Sequence, residues 1–76
     1  MKAFILLTIR TGAIPEVVQN IRRLRGVTAV EMTFGPYDAI VTVEADSLTQ
    51  IARLVNIEIQ VIPGVEDTLT CLAVPI

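Results

Sequence analysis

The chain contains no histidine and no tryptophan, and it has a single cysteine. Without histidine there is no Ser-His-Asp triad, no Cys-His nucleophile pair and no zinc site of the ordinary kind. A lone cysteine cannot build a disulfide framework. Cys71 lies in the apolar run Leu69-Thr70-Cys71-Leu72-Ala73-Val74, which reads as a small buried hydrophobe. Aromatics are also scarce, with two Phe and one Tyr. Charge is sparse at 18% and the net charge is −2. An autonomous duplex-DNA binder needs a basic footprint, and this chain lacks one. The only basic cluster, Arg22, Arg23 and Arg25, falls at the end of an expected helix, where it complements the helix dipole. The pure chain is therefore expected not to shift duplex DNA at physiological salt. A complex that survives competitor DNA in a mobility-shift titration would overturn this.

What the chain has is apolar residues. They make up 53% of 76 residues. One domain of this length buries only about 60% of its unfolded surface, so a single small core cannot hide them all. With neither disulfide nor metal as a staple, a partner subunit is the expected remedy. The opening MKAFILLTIR superficially resembles a signal peptide. Its apolar run is short and lacks a small-residue cleavage site, so it reads as a first strand. This implies a cytoplasmic chain with no membrane segment.

Hydrophobic periodicity supplies the element order. Lys2 to Arg10 reads as a strand, with Ala3, Ile5, Leu7 and Ile9 on one face and Phe4, Leu6 and Thr8 on the other. Both faces are largely apolar, as expected of a central strand. Ile14 to Leu24 carries Ile14, Val17, Val18, Ile21 and Leu24 at helical spacing. Pro15 and Glu16 suit its first turn and Gly26 its end. Val27 to Phe34 and Tyr37 to Ala45 read as a hairpin across a Gly-Pro turn.

Ser47-Leu48-Thr49-Gln50 resembles a capping box. The stripe expected after it is Leu48, Ile51, Ala52, Val55 and Ile59 or Ile62. The β-branched alternation Ile57-Glu58-Ile59-Gln60-Val61-Ile62 suggests that this helix ends early. Pro63-Gly64 closes the segment, and Val65 to Val74 is the last strand. An internal echo, Gly26-Val27-Thr28 against Gly64-Val65-Glu66, marks two β-α-β halves. The fold class is α+β: residues 1–76 form a single ferredoxin-like βαββαβ plait, an antiparallel sheet of order 4-1-3-2 with both helices on one face. The other face is apolar and uncovered, which predicts a face-to-face dimer.

This topology brings the turn Gly35-Pro36-Tyr37-Asp38 and the segment Val65-Glu66-Asp67-Thr68-Leu69-Thr70 to one end of the sheet, roughly 10 Å apart. Turn N–H groups can hold a carboxylate. Asp38 can hold an ammonium, Tyr37 can form an apolar wall, and Thr68 and Thr70 aim hydroxyls to one face. These parts suit a free amino acid. Each also has a purely structural reading. Asp38 can close the turn through its own amides, and alternating threonines suit any strand.

The residues Leu24-Arg25-Gly26-Val27, Thr33-Phe34-Gly35-Pro36-Tyr37-Asp38 and Ile62-Pro63-Gly64-Val65-Glu66-Asp67-Thr68-Leu69-Thr70 resemble the effector-binding RAM domain of the Lrp/AsnC (feast/famine) regulators. The resemblance covers nearly the whole chain. The pairing of G-x-Y-D with a later T-x-T separates it from the ACT domain of similar fold. It implies a non-enzymatic module with no catalytic residue, no metal and no cofactor, which binds amino-acid effectors between dimers that assemble into rings. Carried over by position, the ligand contacts would be Gly35, Pro36, Tyr37, Asp38, Thr68 and Thr70. Regulators of the family also carry a helix-turn-helix domain, for which this chain has no room. The expectation is a stand-alone module without direct DNA binding, acting through mixed assembly with full-length Lrp/AsnC regulators in the control of amino-acid metabolism. A purely structural assembly module and a small dimeric α+β enzyme are the alternatives.

Overall fold

The computed structural model describes residues Met1–Ile76. The chain forms β1 (Lys2–Ile9), α1 (Ile14–Arg22), β2 (Val27–Met32), β3 (Ala39–Glu44), α2 (Leu48–Arg53), a π-helical continuation α3 (Leu54–Ile59) and β4 (Val65–Leu72). The sheet is antiparallel in the order β2-β3-β1-β4. This is the expected order 4-1-3-2 read from the other edge, with β1 inside.

The alternation of β1 divides it as its sequence indicates. Ala3, Ile5, Leu7 and Ile9 are buried, together with Ala39, Val41 and Val43 of β3 and Val30 of β2. These residues form one cluster with Val17, Val18 and Ile21 of α1 and Ile51, Leu54, Val55 and Ile59 of the second helical stretch. Both helices therefore cover one face.

The two glycines of the internal echo perform one task twice. Gly26 and Gly64 have φ of +96° and +103°, a region closed to most side chains. Each lets the chain reverse so that the next strand's first N–H reaches back: Val27 to the Leu24 carbonyl and Val65 to the Ile62 carbonyl, at 3.3 and 3.1 Å. Gly64 is also crowded, since a Cβ there would stand 2.8 Å from the Ala13 side chain.

Several boundaries differ from the sequence expectation. Helix α1 ends at Arg22, two residues short of Leu24, because Arg23 and Leu24 make tight i→i−3 bonds to Asn20 and Ile21. The Arg22 guanidinium donates to the Val30 carbonyl at 3.2 Å, tying the helix end to β2. In the second helix Leu48 and Ala52 are exposed, and Leu54 is buried instead. The α-helical winding stops early, at Arg53, ahead of the Ile57–Ile62 run. Its β-branched residues crowd an α turn, and the chain winds wide, with the Gln60 N–H reaching the Val55 carbonyl at 2.9 Å.

The face of the sheet opposite the helices is uncovered. Phe4 stands between Thr42 and Cys71, and Leu6 between Ile40 and Leu69. Cys71 is exposed there, not buried as its apolar run suggested. Its parity places it on the face that the chain's own helices do not cover. No helix is long and apolar enough to cross a membrane.

Candidate functional site

The residues flanking the Gly-Pro turn are fixed by a compact set of bonds. Thr33 closes the β2–β3 connection twice. Its N–H donates to the Asp38 carbonyl at 3.0 Å, and its hydroxyl donates to the Tyr37 carbonyl at 2.6 Å. These bonds end the regular strands at Met32 and Ala39, short of the expected Phe34 and Tyr37. Phe34, Gly35 and Pro36 are exposed, with Phe34 fully so.

On the other side of the turn, the Asp38 N–H donates to the Leu7 carbonyl at 2.8 Å. Residues of β1 with odd numbers direct their backbone groups to β3, as the Ala45 N–H to Met1 carbonyl bond shows. Continuing that pattern, the Ile9 N–H would look for the Tyr37 carbonyl, which Thr33 has engaged. The Asp38 carboxylate fills the gap, its Oδ2 accepting from the Ile9 N–H at 2.7 Å. Asp38 thus ties the turn to the central strand and does not bond the amides of its own turn. An ionised carboxylate has about four acceptor positions, and this bond engages one.

Thr68 and Thr70 lie on the other flank of β1, paired with Leu7 and Ile5. Leu7 therefore stands between Ala39 and Thr68, so the turn and Thr68 share one end of the sheet, with Thr70 opposite Ile5 in mid-strand. The threonine side chains share the helix-side face with Leu7 and Ile5, at the open edge made by β4. Thr68 is half-buried and Thr70 exposed. A hollow of about 260 Å³ opens at this edge, lined by Gln60, Val65, Glu66, Asp67 and Thr68. Of the residues nominated from sequence, only Thr68 lines it. Gly35, Pro36, Tyr37, Asp38 and Thr70 stand outside it, and one chain does not gather all six into a single cavity.

Gln60 was not nominated from sequence. Its Nε2 donates to the Thr68 hydroxyl oxygen at 2.8 Å. No local motif marks it, because the π-helical winding that carries it to β4 is not written in the apolar periodicity. A larger hollow of about 600 Å³ lies at the opposite end of β3, among Arg25, Glu44, Asp46, Gln50, Arg53 and Glu58. It shares no residue with the nominated set. Its lining carries charges of both signs, whereas the smaller hollow is the one that includes a residue expected to touch ligand, Thr68. No cluster of His, Cys, Asp or Glu is arranged to hold a metal ion.

Residues 2–74 match the family model of the Lrp/AsnC ligand binding domain. Among curated proteins, the HTH-type transcriptional regulator FL11 of Pyrococcus horikoshii is 32% identical over 72 residues, covering 95% of this chain and 47% of the regulator. The chain thus spans about half the length of the curated relatives it matches. Among solved structures, TTHA0845 from Thermus thermophilus superposes with a TM-score of 0.94 at 29% identity, over 99% of this chain and 94% of that one. FFRP-DM1 superposes with a TM-score of 0.91 at 30% identity, over 96% and 97%.

Proposed function

This chain belongs to the Lrp/AsnC ligand binding domain family, and on that premise we propose that it is a non-enzymatic regulatory module that binds a free amino acid and works as an oligomer. The observation that carries the reading is the match of residues 2–74 to a ligand-binding domain, joined to the chemistry at one sheet end. There Asp38 offers a carboxylate, the turn Gly35-Pro36-Tyr37 offers backbone N–H groups and an aromatic wall, and Thr68 and, further along β4, Thr70 offer hydroxyls on the other flank of β1. These groups complement an ammonium, a carboxylate and a small side chain. Because one chain does not close a cavity around them, the amino acid sits where a second subunit completes the site. NMB0573 from Neisseria meningitidis, a transcriptional regulator of the same fold, is described in complex with L-Met.

The uncovered sheet face supplies the dimer contact. Phe4, Leu6, Ile40, Leu69 and Cys71 form an apolar surface of the kind that marks association, and two such faces packed together resemble a sheet sandwich. The dimers associate further into rings. Mixed assembly with full-length regulators would link effector level to DNA binding performed by those partners, and the module would act inside the cytoplasm.

Calorimetry of the assembled protein against each of the twenty L-amino acids tests this reading. Selective, saturable heat for one or a few is the expected result. A flat response to all twenty, with assembly intact, would leave a structural role. Turnover of a small acid in place of stoichiometric binding would point to an enzyme.

A further inference from the structure

The Gln60–Thr68 contact is the one side chain-to-side chain hydrogen bond in the chain. It joins the end of the π-helical turn to a threonine at the mouth of the hollow. Its polarity has a consequence. A threonine hydroxyl has one hydrogen to give and two lone pairs. Gln60 Nε2 donates to that oxygen, so the hydroxyl hydrogen is left to point elsewhere. The Thr68 backbone N–H is engaged with Asp67 Oδ1 at 2.9 Å. The free hydrogen of Thr68 is thus available to an acceptor that enters the hollow in place of water. Glu66 and Asp67 line the hollow and no cationic side chain does, so a carboxylate entering there meets like charge and an uncharged acceptor is favoured.

We propose that Gln60 is a positioning and specificity residue. It holds Thr68 as a hydrogen-bond donor, so that the hollow takes a neutral oxygen acceptor, such as a carboxamide, in preference to a carboxylate. This rests on the amino-acid-binding reading above and goes beyond it by naming a residue outside the resemblance and the class of ligand group it selects. A chain of donors that polarise one another is stronger than its separate bonds, so Gln60 acts through Thr68.

The test titrates glutamine against glutamate and asparagine against aspartate, within the same panel of twenty. The proteins are the unaltered chain, Gln60→Ala, Gln60→Glu, Thr68→Val and the double variant Gln60→Ala/Thr68→Val. The unaltered protein is expected to bind a carboxamide at least about tenfold more tightly than its acid, and Gln60→Ala to lose about five- to tenfold. Gln60→Glu should lose more, because its carboxylate takes the Thr68 hydrogen for itself. The double variant should be no weaker than Thr68→Val alone, and exposed Gln60 leaves the melting temperature unchanged in Gln60→Ala. Equal affinity in Gln60→Ala, additive losses in the double variant, or preference for the acid would each overturn the proposal. If no amino acid binds the unaltered protein, the parent reading fails as well, an outcome distinct from all of these.

Discussion

Asp38→Asn is expected to weaken amino-acid binding by about ten- to a hundredfold while leaving the fold nearly as stable. The amide keeps an oxygen for the Ile9 N–H, the partner of Asp38 Oδ2 at 2.7 Å, and it loses only the charge. A charge-assisted hydrogen bond to the ligand ammonium contributes about 1.5–3 kcal/mol, hence the range in affinity. Asp38→Ala is the contrasting variant. It strips the acceptor as well, and Ile9 is only 4% exposed, so its N–H is left without a partner. The stability cost of that is about 1–3 kcal/mol, and each kcal/mol lowers the melting temperature of a domain this size by about 4–8 °C. The two measurements, affinity and melting at fixed protein concentration, divide the roles of one side chain. If Asp38→Asn binds like the unaltered protein, Asp38 is a structural tie alone. Thr70→Val is the companion: Thr70 is exposed on β4 and makes no side-chain hydrogen bond within the chain, so a loss of affinity without loss of stability assigns its hydroxyl to the ligand.

Leu6→Lys is expected to break the dimer. Leu6 lies at the centre of the uncovered face, paired with Ile40 on one side and Leu69 on the other. In a two-fold dimer one substitution acts in both copies. Full burial of an exposed leucine contributes about 1.5–3 kcal/mol; Leu6 is already half-buried in one chain, so about half of that is lost in each copy, about 1.5–3 kcal/mol in all, or roughly one to two orders of magnitude in the dimer Kd. The ammonium groups add desolvation to this. Leu48→Lys, on the helical side and 52% exposed, serves as the control and should assemble normally. Sedimentation of Leu6→Lys as the same species as the unaltered protein would remove this face as the interface. A stable folded monomer of 8.3 kDa at micromolar concentration, in the unaltered protein, would remove the dimer itself.

The topology was legible because its signals are local and repeated. Alternation in β1, the helical spacing of Val17, Val18 and Ile21, and the doubled Gly-Val after each helix fix the order β-α-β-β-α-β without any long-range information. The errors arise where a long-range bond decides. Tyr37 reads as a strand residue until the Thr33 hydroxyl takes its carbonyl. Leu54 does not lie on the stripe that begins at Leu48, because Leu48 is an exposed first-turn residue and the register of burial is shifted from it. Cys71 reads as buried from its apolar neighbours, whereas alternation from Phe4 places it on the open face. At the candidate site, the turn and threonines were visible as motifs, and the sheet end shared by the turn and Thr68 follows from the topology. Gln60 was not visible, because it reaches Thr68 only through the wide π turn.

The central position of β1 also governs when the molecule can fold. Its edges pair with β3 and with β4, and Ala3 lies opposite Leu72, so the first strand and the last are direct neighbours. During synthesis the first strand leaves the ribosome early and its partner late. Until β4 arrives, one whole edge of the most apolar strand has no hydrogen-bonding mate, and such an edge is a template for pairing with other chains. Contacts of this sequence separation also slow folding, because the loop entropy is lost before they form. The strand that anchors the finished core is thus the most exposed to misassociation in the nascent chain, and its safe completion depends on β4, the strand that carries Thr68 and Thr70.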